Sequence, residues 1–151
     1  MDFRSMLIKM FSTHPPIVKT FGMELSFDKD DHAIVTLPYN PNLDHGEGAI
    51  HGGAIATLLD NAGFFTSALA IKGIVITSEM SFHLLRPAKK VKLIATGNVL
   101  KVGKNQVVAE MNCKDEHGNL IAHGTGTFLI TALKEEILKK IKKFEEYDNS
   151  R

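Results

Sequence analysis

At 151 residues, with 44% hydrophobic and 23% charged side chains, the chain can bury a core and is too apolar for wholesale disorder. Eighteen basic against seventeen acidic residues leave a formal charge of +1, and there are two Tyr and no Trp, which argues against a nucleic-acid partner. The single cysteine, Cys113, excludes an intramolecular disulfide and any cysteine-rich metal site, and its strand-like neighbours Glu110 to Asp115 mark it as a small apolar side chain.

The elements follow in chain order. Phe3, Met6, Leu7, Met10 and Phe11 recur at the spacing of one helical face, with Asp2 placed to cap the helix and Pro15-Pro16 to stop it. Charges at Asp2, Arg4 and Lys9 interrupt this segment, so it does not read as a secretory signal. Met23 to Lys29 and His32 to Leu37 form a predicted hairpin turning at Asp30-Asp31. Tyr39 to Ile50, rich in Asn, Pro, Asp and Gly, is a loop.

From Gly52 to about Ile71 runs a helix that is apolar nearly all round, closed by Lys72-Gly73. It carries Asp60, which is costly in lipid, so it reads as a buried core helix and the protein as cytoplasmic, with no membrane partner. Four strands follow, over 74–85, 91–102, 106–114 and 120–131, joined by tight turns that demand an antiparallel meander. Leu133, Ile137, Leu138, Ile141 and Phe144 end the chain in an amphipathic helix over 133–147. The whole reads as one α+β domain over 1–151, a single antiparallel sheet around one long central helix with short terminal helices.

One region breaks the structural rules. His51-Gly52-Gly53 stands where the loop becomes the buried helix, and the first amides of a helix lack intrahelical partners. Two glycines leave the backbone open to a ligand oxygen, the geometry of an oxyanion hole, although an ordinary tight cap fits the same residues. Asp60, flanked by Leu58, Leu59 and Ala62, adds a carboxylate in an apolar helix: either a candidate base or nucleophile, or a break between two shorter helices at Asp60-Asn61. On one straight helix, Gly52 and Asp60 are roughly 12 Å apart at 1.5 Å per residue. If both act on one carbonyl, the second group comes from another subunit of a two-fold dimer.

Ala49-Ile50-His51-Gly52-Gly53-Ala54-Ile55-Ala56-Thr57-Leu58-Leu59-Asp60 resembles the signature of the PaaI-type hotdog thioesterases. Thr77-Ser78-Glu79-Met80-Ser81-Phe82, Arg86-Pro87-Ala88 and Gly118-Asn119-Leu120-Ile121-Ala122 are also similar, and the resemblance covers about residues 18 to 131. It implies a hotdog fold, a homo-oligomer (a dimer or dimer of dimers), an acyl-CoA substrate, and neither metal nor cofactor beyond the coenzyme A of the substrate.

Residue by residue, it implies that the Gly52 amide polarises the thioester carbonyl while His51 orients it. Asp60 of the other subunit acts as base or nucleophile, with Gly53 and Asn61 against the substrate. Thr77 stands where a hydroxyl helps hold the attacking water, and Arg86 where a basic side chain meets the phosphates of coenzyme A. His45 occupies the position, six before the motif histidine, where these enzymes place Asn or Gln as a second carbonyl donor; Asn42 is the alternative if the loop folds back.

Phe64, Phe65 and Phe82 are candidate walls of an acyl groove, although plain core packing fits each of them better. The remaining histidines, His14, His32, His83, His117 and His123, show no metal spacing. Two other readings stay open: a non-catalytic acyl-CoA-binding protein on the same fold, and a hydratase.

Overall fold

The computed structural model describes residues 1–149, the side chains at 141, 144, 147 and 148 excepted. Helix α1 (Phe3–Thr13) buries Phe3, Met6, Leu7 and Phe11, and the Asp2 carboxylate accepts the Ser5 amide at 2.7 Å. Pro15-Pro16 stops this helix as expected, but it also starts another, α2 (Pro16–Phe21). A proline in the first turn lacks only an N–H that the helix start would leave unpaired, so the same pair serves as stop and start.

Strands β1 (Glu24–Phe27) and β2 (Ala33–Leu37) form the predicted hairpin. Its turn is held by Asp28, whose Oδ1 accepts the amides of Asp30 and His32 and whose Oδ2 pairs with His32 Nδ1, each at 2.9 Å. Asp31 takes the positive φ, 68°, that the reversal needs.

Helix α3 (Gly52–Ile71) is continuous, which removes the alternative of a break at Asp60-Asn61. Lys72 itself adopts the left-handed cap at φ 49°, so the cation closes the helix and Gly73 already belongs to the next strand. Among the described residues, α3 alone is long and apolar enough to cross a membrane; 61% of its most apolar window is buried in the fold, as in a core helix. Leu58, Leu59 and Ala62 are wholly covered, and they pack with Val35, Leu93, Ala95, Met111 and Phe128 of the sheet. Close packing depends on Gly97, where a Cβ would stand 2.3 Å from Ala62 O. Ala33 N–H donates to Thr66 Oγ1 at 2.9 Å and pins α3 to β2.

The later strands are β3 (Gly73–Leu84), β4 (Leu93–Val102), β5 (Gln106–Asp115) and β6 (Leu120–Leu133). All neighbours are antiparallel, in the order β1-β2-β4-β5-β6-β3. This is the sheet-around-a-helix arrangement that the hotdog resemblance implies. The expected four-strand meander holds only for β4-β5-β6: β3 lies beyond β6, at the far edge, and residues 85–92 carry the chain back across the sheet. Arg86-Pro87 ends a strand without specifying which neighbour that strand pairs with.

Cys113 is fully buried in β5, and burial pushes its thiol up to about 12, with the Asp115 charge adding to the effect. Helix α4 (Lys134–Asp148) packs through Ile137 and is tied to α1 by Lys9 Nζ donating to Glu145 Oε1 at 2.9 Å. Leu138, expected on the apolar face, is exposed, and so is Leu133, which ends β6. The side chains of Ile141 and Phe144, expected on that face, lie outside the described ones.

Candidate active site

The loop before α3 is folded onto the helix start by main-chain bonds. His51 N–H donates to Leu43 O at 2.9 Å, His45 N–H to Ala49 O at 2.8 Å, and Ile50 N–H to Ala88 O at 2.8 Å, the last from the β3–β4 connection. Tyr39 Oη donates to Asp44 Oδ2 at 2.6 Å, which raises the phenol above its usual range and leaves Asp44 Oδ1 buried without a partner among the described residues.

At the helix start the two glycine amides differ. His51 is the N-cap: its Nδ1 accepts the Gly53 N–H at 2.8 Å. A ring nitrogen that accepts an amide proton carries none itself, so the neutral ring holds its proton on Nε2. The Gly53 amide is therefore spent, which corrects the expectation that both glycine amides stand open. The Gly52 N–H has no partner among the described residues, and Gly52 lines a cavity of about 250 Å³.

That cavity joins three of the predicted site residues, His45, Gly52 and Arg86, with an apolar lining of Ile50, Ile55, Leu84 and Leu85. A Cβ on Gly52 would meet Leu84 Cδ1 at 2.6 Å, so the glycine lets the end of β3 close over the helix start. His45 is exposed, and its Nδ1 accepts the Glu47 N–H at 3.0 Å, leaving Nε2 as the donor of the neutral ring. Arg86 Nη1 donates weakly to Leu120 O at 3.5 Å. Asn42 is outside the cavity lining.

Eight residues along α3 stands a second group. Asp60 is half-buried, and its Oδ1 accepts the Thr77 hydroxyl at 2.6 Å. The carboxylate that the sequence sets in an apolar helix is thus neither wholly buried nor unpaired: β3 supplies one donor and solvent reaches the rest. Asn61 donates one of its two side-chain N–H groups to Thr57 O at 2.8 Å, inside its own helix, which leaves the other N–H and the carbonyl oxygen for a ligand. One chain therefore presents two half-sites, a free amide in a pocket and a carboxylate held by a hydroxyl.

Of the two readings of the phenylalanines, the core one fits: Phe64 and Phe82 pack against the cluster that contains Phe65. Phe65 is buried and meets Phe11 edge-on at 5.2 Å, Phe64 stacks obliquely on Phe65 at 4.9 Å, and none of the three phenylalanines lines the cavity. The walls come instead from Leu84 and Leu85, which sequence left unassigned because they matter only once β3 ends against Gly52. Among the described residues, Asp28, Asp30 and His32 bring three ligand atoms within 4.8 Å of one another, a grouping that the sequence spacing did not suggest. Their hydrogen bonds to the hairpin turn account for the arrangement.

Comparison with known proteins bears on this geometry. A family model described as the thioesterase superfamily matches residues 47–122. An esterase-named protein of Halobacterium salinarum is 30% identical over 142 residues, covering 85% of this chain and 93% of its own. A medium/long-chain acyl-CoA thioesterase of Escherichia coli is 26% identical over 139 residues, covering 81% and 90%. Among solved structures, the PaaI protein of the Escherichia coli phenylacetic acid degradation operon superposes with a TM-score of 0.78 at 19% identity, covering 85% of this chain and 94% of its own, a likeness of fold. The free helix-start amide, the carboxylate two turns on and the matched span lie in one stretch of sequence, and the chain belongs to the thioesterase superfamily, with its hotdog fold.

Proposed function

We propose that the protein hydrolyses acyl-CoA thioesters, and that each site is completed by two copies of the chain. The observation that carries this reading is the Gly52 N–H, without a partner among the described residues, at the positive end of a 20-residue helix and on the lining of a largely aliphatic pocket. Such a donor has its largest effect on an oxygen that gains negative charge, as a thioester carbonyl does when it is attacked. The neutral His45 ring offers a second donor from the same cavity.

Asp60 supplies the attack, either by taking a proton from water or by adding to the carbonyl carbon itself. The C–S bond then breaks, and the thiolate leaves as coenzyme A and takes up the proton; where Asp60 has added to the carbonyl, water then hydrolyses the acyl–aspartyl anhydride, releasing the acid and restoring the carboxylate. Thr77, bonded to Asp60 at 2.6 Å, orients the carboxylate. Gly52 and Asp60 are fixed on one rigid helix roughly 12 Å apart, too far to meet at one carbonyl. A two-fold pairing of copies brings unlike ends together.

The fold is compatible with that pairing. β3 is an edge strand bonded only to β6, and the α3 face carrying Gly53, Ala56, Thr57, Asp60, Asn61 and Phe64 is not fully buried within one chain. The Escherichia coli relative is named for medium- and long-chain acyl-CoA, and the aliphatic lining of the pocket suits such a chain. The proposal needs no cofactor beyond the coenzyme A of the substrate.

Asp60→Asn keeps the shape of the side chain and removes its basicity. We expect kcat on a panel of acyl-CoAs to fall by about 10²- to 10⁴-fold, with the fold intact by circular dichroism. An unimpaired rate removes Asp60 from the mechanism. Saturable acyl-CoA binding by the unaltered protein with no thiol release overturns the catalytic reading in favour of a binding protein.

A further inference from the structure

We infer that Ser78 is a positioning residue: it holds a bulge in β3 and through that bulge turns Thr77 toward Asp60. The catalytic use of this arrangement rests on the acyl-CoA reading above. Side chains on a strand alternate between the two faces of a sheet, so residues an even number apart share a face. Val75 is buried in the core and Thr77 bonds Asp60 of α3, so here the odd-numbered residues face the helix. Further along, Met80 and Phe82 pack against the core and Leu84 reaches Gly52, so the even-numbered residues face it instead. Glu79, Ser81 and His83 are correspondingly exposed. Thr77 and Leu84 are an odd number of residues apart, and an uninterrupted strand would place them on opposite faces.

The pairing with β6 shows where the parity changes. Thr77 stands opposite Phe128 and Glu79 opposite Thr127, so the register skips Ser78. An extra residue in one strand of an antiparallel pair shifts every side chain beyond it by one. That single shift puts both Thr77 and Leu84 on the α3 side. Without it, β3 could serve the carboxylate half-site of a chain or its amide half-site, but not both.

Side chains hold the bulge in place. Ser78 Oγ donates to Thr127 O at 3.1 Å, and Thr127 Oγ1 donates to Glu79 Oε2 at 3.3 Å. The extra residue and its neighbour are thus both tied to Thr127 of β6. Ser78 is exposed and bonds β6 rather than α3, so its effect on Asp60 passes through the backbone of Thr77. Thr77 is β-branched and stiff at χ1, so the direction of its hydroxyl follows the backbone that carries it.

The test compares the full-length protein with Ser78→Ala, Thr77→Val and the two combined, on one acyl-CoA. Ser78→Ala removes the bond to Thr127 and is expected to lower kcat about threefold with KM retained, the low end of what one neutral hydrogen bond supplies. In the Thr77→Val background it should lower kcat no further, because the hydroxyl that it positions is gone. Ser78→Thr keeps a hydroxyl at the bulge and should keep kcat. An unchanged kcat in Ser78→Ala, or an equal fall in both backgrounds, overturns the inference, and so does a fall in Ser78→Thr equal to that in Ser78→Ala. If the unaltered protein hydrolyses no acyl-CoA, the catalytic reading fails, while the positioning is still decided by the carboxyl-carbon NMR resonance of Asp60. Ser78→Ala should move that resonance in the direction in which Thr77→Val moves it; a resonance that stays in place or moves the other way overturns the inference.

Discussion

Two carboxylates, Asp28 on the β1–β2 turn and Asp60 in α3, show how one residue type serves structure in one place and chemistry in another. Asp28 accepts three donors, the amides of Asp30 and His32 and the His32 ring, and its carboxyl is held below the usual range chiefly by the backbone N–H of His32. Every bond it makes closes the turn it sits on. Asp60 accepts one, from Thr77 on another element, and sits on a helix that needs nothing from it. A carboxylate can accept about four hydrogen bonds, so Asp60 keeps most of its capacity for a ligand. What separates the two is the number of local donors: both are partly covered, and neither is buried.

The largest effect expected from breaking this comparison lies at the donor end of α3. Gly52→Pro deletes the free N–H at the first helical position, where proline is tolerated, and His51 at ψ 136° already has the backbone that precedes a proline. We expect kcat to fall by about 10²- to 10³-fold, the worth of one oxyanion donor. Gly52→Ala, which keeps the N–H and presses a methyl on the mobile end of Leu84, should lose far less. Equal losses in both would assign the effect to crowding. Mixing Gly52→Pro with Asp60→Asn chains then tests whether the halves are shared: a random mixture of two-fold pairs recovers about a quarter of the unaltered activity, because half the pairs are hybrid and each hybrid has one intact site. No recovery would confine the site to one chain.

Much of this was legible in the residues. The apolar period of Phe3 to Phe11, the turn chemistry between strands and the sharp start of α3 at Gly52 all have local causes, and the structure follows them. Gly52 and Asp60 stand out because each breaks a local rule, and Thr77 only through the resemblance. What stayed hidden depends on distant partners or on ring orientation. The place of β3 beyond β6 is set by pairing, the capture of the Gly53 amide by the His51 ring, and the pocket walls Leu84 and Leu85 by where β3 ends.

A smaller effect sharpens the Asp60 side. Thr77→Val keeps the β-branched shape and removes the hydroxyl that donates at 2.6 Å. A single hydrogen bond to a charged group is worth about 1.5 kcal/mol at the low end, which corresponds to roughly tenfold in kcat. The loss should appear in kcat with KM nearly unchanged, because the hydroxyl is spent on the carboxylate. A rise in KM at constant kcat would instead make Thr77 a substrate contact.

The smallest effect belongs to Asp28, and it separates the two carboxylates by what each leaves untouched. Asp28→Asn should leave kcat and KM for acyl-CoA as they are while lowering the thermal midpoint slightly, and the lowering should depend on pH. His32 is raised above its ordinary 6.5, first by its bond to Asp28, so its share of the stability is complete below about pH 6.5 and is lost as the pH climbs through the higher folded value. Asp28 is lowered from 3.8, so its share is complete above about pH 3.8 and is lost as the pH falls through the lower folded value. The gap in midpoint between the unaltered protein and the variant should therefore be widest between about pH 4 and 6.5 and narrow on the alkaline side. A gap that stays constant from pH 5 to 9 would mean that the His32 charge contributes nothing and that the two turn amides alone carry the effect. A loss of activity with that gap would remove the distinction between the two carboxylates altogether.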